Sequence, residues 1–421
     1  MVEPASAVSR AADDSASLVP GLELVALRER IAAAEAAYLA DLASLVNIDC
    51  GSYTKAGVDE VGDRVAAFLE GIGATVVRHP HETLGETVVG MLSGTPGAPR
   101  LLLIGHMDTV FDPGTAAARP FRIDDGRAYG PGVTDMKSGL LAGLYAIKAL
   151  VGSGGPPAFG RLTFVANPDE EIGSPSSTPI IRALSADADV CLVLECARAN
   201  GDIVSSRKGI VDARLTVHGR AAHAGVEPEK GRSAILAAAH LTTALHDLNG
   251  RWDGVTCNVG VIGGGTRPNV VPEEARLEVD VRAVRGDDLD AAVEAIRALI
   301  ATPAVPDVTV ELDVMASWRP MEKLARSGRL VELAVGLARD LGFDLRDAAT
   351  GGASDANTTS GMGVPSLDGL GPIGGNDHAP AEYLEVDSIV PRTTLLAALI
   401  LAIGRDPVVR SWREPAAPGS R

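Results

Sequence analysis

Apolar and polar positions change rhythm along this chain. In "GLELVALRERIAAAEAAYLADLASLVNI" and "VDEVGDRVAAFLEGIG" apolar residues recur every three to four positions, which predicts amphipathic helices, the second closed by glycine. Short apolar runs follow: "ATVVRH", "TVVGML", "RLLLIGHMDTV", "RLTFVANPDEE" and "ADVCLVLECA", with the helical stretch "SGLLAGLYAIKALVGSG" between the third and fourth. Near-continuous apolar strands alternating with helices predict an α/β sheet covered on both faces.

At about residue 208 the pattern turns to alternation. "GIVDARLTVHG" reads as a half-exposed strand, followed by a helix, two strands, a helix and a last strand, "DVTVELDVMA". The order β-α-β-β-α-β predicts a ferredoxin-like α+β unit. After about residue 319 the α/β texture returns and ends in the helix "SIVPRTTLLAALILAIG". The expected organisation is a flexible tail over residues 1–20, a discontinuous α/β domain over 21–207 and 319–421, and an inserted domain over 208–318.

Composition narrows the classes of function. A chain of 421 residues with 46% hydrophobic content suits large buried cores. Its net charge of −17 argues against nucleic acid or an anionic membrane as partner. Cys50, Cys191, Cys196 and Cys257 form neither a CxxC pair nor a disulfide framework, which fits a reducing compartment. The first residues lack the basic start and apolar centre of a signal peptide, and no later run is expected to span a membrane. The expectation is a cytoplasmic protein.

The stretch "NPDEEIGS" sets three consecutive carboxylates at the end of an apolar strand, where repulsion and desolvation both act against folding. It is either an acidic turn or the surroundings of something positive. Other ligand-type residues recur at strand ends or loops: His106 and Asp108 in "LLLIGHMDTVF", Asp135 in "YGPGVTDMKSG", Glu195 in "VLECA" and His378 in "GGNDHAPAEY". Active sites of such sheets form beyond the carboxyl ends of the strands. Taken singly, each has a dull explanation: a loop histidine, a solvated turn, or, for Asp135, a helix cap. Together, two imidazoles and three carboxylates on one rim suit a pair of divalent metals such as zinc, with three negative charges set against four positive ones. Asp108 would orient His106 from behind, and Glu170 is left without a metal to bind.

The motifs "GHMDTV", "GPGVTDMKSG", "NPDEEIGS", "RAAHAG", "RPNVVP" and "GGNDHAP", in this order, resemble the zinc-dependent carboxypeptidase G, acetylornithine deacetylase and succinyl-diaminopimelate desuccinylase family, nearest its glutamate carboxypeptidase branch. The likeness runs from about residue 25 to 404. It implies a zinc-exopeptidase-like catalytic domain with a central mixed sheet flanked by helices, and an inserted lid that also dimerises. It further implies two zinc ions, replaceable by cobalt or manganese: Asp135 bridges, His106 and Glu195 complete one site, and Glu171 and His378 complete the other. Glu170 matches the general base, and a cis peptide is expected at Asp135-Met136. His223 matches an oxyanion-stabilising histidine that commonly reaches the partner subunit's site.

Asn269, Arg282 and Arg319 stand at positions that hold substrate in that branch, and arginine's planar fork suits a carboxylate. "TGGASDAN" resembles a glycine-rich substrate loop in which backbone N–H groups around Gly352 meet a carboxylate. Ala353 and Ser354 depart from the carboxypeptidase G pattern, and only 3% of residues are aromatic, so a stacked pteroyl ring is not implied. The expected reaction is release of a C-terminal glutamate or similar amino acid from a small N-acyl or peptide substrate by a homodimer. An aminoacylase or dipeptidase using the same chemistry is the near alternative, and a non-catalytic binding homologue the distant one.

Overall fold

The computed structural model describes residues 18–412. The expected tail falls mainly outside them. Of its last three positions, Val19 is fully buried, and the Leu18 carbonyl accepts a bond from Arg405.

Six strands form the central sheet in the order Thr75–His79, Thr87–Ser93, Arg161–Asn167, Arg100–His106, Val190–Val193 and Ser366–Leu367. The last four run parallel and the first two antiparallel, so the sheet is mixed, as the α/β reading implies. Alternation along Arg100–His106 explains the two covered faces. Leu101 and Leu103 enter a core shared with the helices Gly21–Ala33, Ser138–Val151 and Ile389–Arg405; Leu102 and Ile104 enter another with Ile181 and Ala356.

The apolar run ending the chain needs a correction. Val386–Arg405 is long and apolar enough to cross a membrane by length and composition. In this fold it is a core helix, buried along Leu395–Ile403 between other helices and the sheet.

The insertion forms a second sheet, all antiparallel, in the order Thr256–Gly264, Glu274–Ala283, Gly209–His218 and Thr309–Trp318. Val211, Ala213, Leu215 and Val217 alternate onto one face, where the helices Ala234–His246 and Gly286–Ala301 cover them. The β-α-β-β-α-β order is present, with one addition: Ala222–His223 pairs with Val270–Val271 in a small separate ladder.

Candidate metal centre

Strand register sets the rim. His106 pairs with Asn167 and Ile104 with Val193, so three parallel strands end level and release the His106, "NPDEEIGS" and Glu195 segments on the same side. Asp135 lies in the turn before the helix Ser138–Val151, and its bond to Met136 is cis, as expected. His378 stands between the short strands Gly374–Gly375 and Tyr383–Glu385 with φ 61°, a left-handed conformation uncommon outside glycine.

These loops bring the five ligand-type residues together. His106 Nε2 is 3.1 Å from Asp135 Oδ1 and 3.7 Å from Glu195 Oε1. On the other side, His378 Nε2 is 3.1 Å from Asp135 Oδ2 and 3.2 Å from Glu171 Oε2. Two groups result, His106/Asp135/Glu195 and Asp135/Glu171/His378, each with its ligand atoms within 4.8 Å of one another. Asp135 belongs to both through different oxygens. Its carboxylate therefore has the geometry of a bridge.

The electrostatics match this donor set. Burial pushes Glu195 and Glu170 well above the usual carboxylate range, and neighbouring acids add to it: Asp135 for Glu195, and Glu195 for Glu170. Glu171 is raised as well, chiefly by burial, and its Oε1 is buried with no hydrogen-bond partner among the described residues. The two imidazoles compensate within the cluster, and the Arg207 guanidinium adds to them from beside Glu195. Hydrogen bonds that Asp135 and then Glu171 accept from its ring N–H push His378 up to about 11. Burial works against a charge on His106, but Asp108, Asp135 and Glu195 outweigh it and raise its pKa. Crowded, desolvated carboxylates with one orphaned oxygen fit divalent cations, which supply positive charge without needing protons. His106 Nδ1 lies 3.0 Å from the Asp108 carbonyl oxygen, which fixes the N–H there and aims the Nε2 lone pair at the site.

The three carboxylates of "NPDEEIGS" divide their tasks. Asp169 turns away and accepts bonds from Ser177 Oγ and the Ser176 N–H, both at 2.6 Å. Glu170 and Glu171 face the site because their N–H groups donate to Asp108 at 3.1 and 3.2 Å; Ser52 Oγ holds the same carboxylate at 2.6 Å. Behind them, Asp355 accepts bonds from Asn167 Nδ2 and from Ser174 Oγ at 2.7 Å, tying both ends of this loop to the helix Asp355–Gly361.

The expected substrate residues separate into three places. Arg282 donates to Asp280 on its own strand and, through Nη1, to the Gly351 carbonyl at 2.8 Å, so it reaches the glycine-rich loop already partnered. The Gly352 carbonyl accepts from Arg207 at 3.1 Å, while the N–H groups of Gly352 and Ala353 have no acceptor among the described residues. Arg319 is instead turned to the helix Gly286–Ala301, where Asp290 is its carboxylate, so it does not join the ligand-type cluster. His223 and Asn269 stand together in the small ladder of the insertion, where the Ala224 N–H donates to the Asn269 carbonyl at 3.0 Å. Among the described residues, neither bonds to the ligand-type cluster of this chain.

Three residues were not singled out from sequence. Arg207, almost fully buried, donates to Asp368 at 2.7 Å and places a positive charge near Glu195 and Glu170. Lys208, beside it, has no side-chain partner among the described residues; its backbone meets Thr350 and Asn357, the two ends of "TGGASDAN". Glu382 accepts backbone bonds from the turn that carries Asp135. The only signal for Glu382 was its place in "DHAPAEY", a few positions after His378.

Residues 102–402 match the model of peptidase family M20/M25/M40. Carboxypeptidase G2 of Pseudomonas is 32% identical over 374 residues, spanning 87% of this chain and 89% of that one. A succinyl-diaminopimelate desuccinylase of Dechloromonas aromatica is 29% identical over 329 residues, spanning 72% and 83%. Among solved structures, a tripeptidase of Staphylococcus aureus superposes with a TM-score of 0.73 at 23% identity, over 88% of this chain and 99% of its own. Likeness at that identity concerns the fold alone.

Proposed function

The chain belongs to peptidase family M20/M25/M40, and from that premise we propose that it is a metal-dependent exopeptidase that hydrolyses the amide bond to a C-terminal amino acid, glutamate or similar, in N-acyl or peptide substrates. One observation carries the reading: two ligand groups share Asp135, and Glu170 stands beside them without a ligand role. His106 and Glu195 would hold one zinc ion, Glu171 and His378 the other, with Asp135 common to both; cobalt or manganese would suit the same donors. Ions held there would supply Lewis acidity, lowering the pKa of a water and polarising the scissile carbonyl.

Glu170 would take a proton from the attacking water and deliver it to the leaving amine. In the metal-free site, burial and the neighbouring Glu195 raise its proton affinity, which strengthens it as a proton acceptor. The N–H groups of Gly352 and Ala353, without acceptors among the described residues, and Arg282, bonded to the same loop at Gly351, suit the substrate's terminal carboxylate, with Lys208 adjoining that loop through its backbone. His223 and Asn269 would serve the site of a second copy of this chain. The exposed Val261 and Ile262 on the outer strand Thr256–Gly264 are consistent with such a pairing. The similarity to desuccinylases favours a second reading, a deacylase acting on N-acyl amines with the same residues.

The test is a hydrolysis panel on zinc-loaded protein, crossing several N-acyl groups with several C-terminal amino acids and including N-succinyl amines. Glu170→Gln is the control: it retains every proposed ligand, so metal content should persist while turnover drops about 10²–10⁴-fold. Turnover near wild type in that variant would remove Glu170 from the mechanism.

A further inference from the structure

Glu382 is buried, at 1% exposure, and the chemistry described above does not use it. Its Oε2 accepts the N–H of Gly132 at 2.9 Å; its Oε1 accepts the N–H groups of Thr134 at 2.9 Å and Asp135 at 3.1 Å. No cationic side chain pairs with it among the described residues. A buried carboxylate satisfied only by backbone amides is costly to retain unless those amides must be held. All three belong to one turn, the one that delivers Asp135. The turn itself demands glycine at 132: its φ is +69°, and a Cβ there would lie 2.5 Å from Thr109 Cγ2.

Glu382 also stands four residues after His378, so one carboxylate ties the loop of one ligand to the turn of the ligand shared by both groups. We propose that Glu382 is a positioning residue. It fixes the backbone at Asp135 so that Oδ1 faces His106 while Oδ2 faces His378. This rests on the two-metal reading of Asp135. Because Asp135 is common to both groups, loosening its turn should weaken both ions together, whereas loss of His378 would weaken one.

The test uses full-length protein stripped with a chelator, and reads zinc affinity by competition with a chromophoric chelator alongside melting of the metal-free form. Wild type should take up two zinc ions. Glu382→Gln retains one acceptor oxygen but turns an NH₂ group toward an N–H donor. It should bind both ions about 10–100-fold more weakly. A purely structural role would lower the melting temperature of the metal-free form and leave the zinc affinity of the folded protein unchanged. Affinity within twofold of wild type in the folded variant would therefore overturn the inference alone; no zinc uptake by wild type would overturn the metal reading and the inference with it. Should Glu382→Gln not fold, amide hydrogen exchange on zinc-free wild type decides. Slow exchange at Gly132, Thr134 and Asp135 is expected, and fast exchange there overturns the proposal.

Discussion

The N–H of Glu170 donates to Oδ1 of Asp108 at 3.1 Å, so the residue that orients His106 also holds the backbone of the expected base. Asp108 is completely buried and accepts as well from Ser52 and Glu171. Asp108→Ala leaves these donors unsatisfied. Zinc affinity should fall about 10–100-fold, and stability by about 1–3 kcal/mol for each stranded group. Chelator competition and urea denaturation on one preparation check both. Unchanged zinc affinity would confine the Asp108 side chain to a folding role and leave the orientation of His106 to the backbone carbonyl, which the variant retains.

Metal uptake should release protons. Without an ion, Asp135 and Glu171 hold the imidazole of His378 protonated, its pKa pushed up to about 11. A metal needs the lone pair on Nε2, so that proton must leave. Zinc binding at pH 7.5 is expected to release at least one proton per chain and to tighten as pH rises. Calorimetry in buffers of different ionisation enthalpy measures this. Heats that do not depend on the buffer would mean the imidazole is already neutral.

Asp355 offers a stability test separate from the ligands. Burial, only partly offset by bonds from Ser174 and Asn167, lifts its pKa from 3.8 to about 6. Between those values the folded state holds a proton that the unfolded state has lost, so stability falls as pH rises through this window. The loss reaches about 3 kcal/mol above pH 6. Asp355→Asn cannot titrate there. In metal-free protein, the stability of wild type relative to Asp355→Asn should therefore decline from pH 4 to pH 7. A pH-independent difference would place the ordinary carboxylate pKa on Asp355.

Carboxylate recognition separates by substrate. A desolvated charge pair is worth about 2–5 kcal/mol, so Arg282→Ala should lower kcat/KM about 30-fold to several thousandfold on an N-acyl-glutamate and far less on its amide. Lys208→Ala is expected to show the same selectivity, since its ammonium has no partner among the described residues and its backbone adjoins the same loop. Equal losses on acid and amide would mean that Arg282 only shapes the loop, through the Gly351 carbonyl.

How much of this was legible depended on how local each signal is. His106 and Glu195 follow apolar strands whose lengths and order fix where they emerge, so alternation along the chain already put them on one rim. Asp169, Glu170 and Glu171 could not be told apart by spacing, because Asp108 and the serines after them decide which way each turns. Arg207 and Glu382 act through contacts 145 to 250 residues away in sequence. For Arg319, nothing in the sequence pointed to Asp290, on a helix of the insertion, which takes its guanidinium in this structure.

The buried helix Ile389–Arg405 has a consequence for synthesis. Every residue of the candidate metal centre, up to His378 and Glu382, leaves the ribosome before the segment that closes the larger core. The inserted sheet, complete at Trp318, can fold while its host still lacks a wall. A chain halted near residue 385 would therefore carry the full ligand set on an unfinished scaffold, and pulse proteolysis of such stalled chains should spare the insertion and cut the rest.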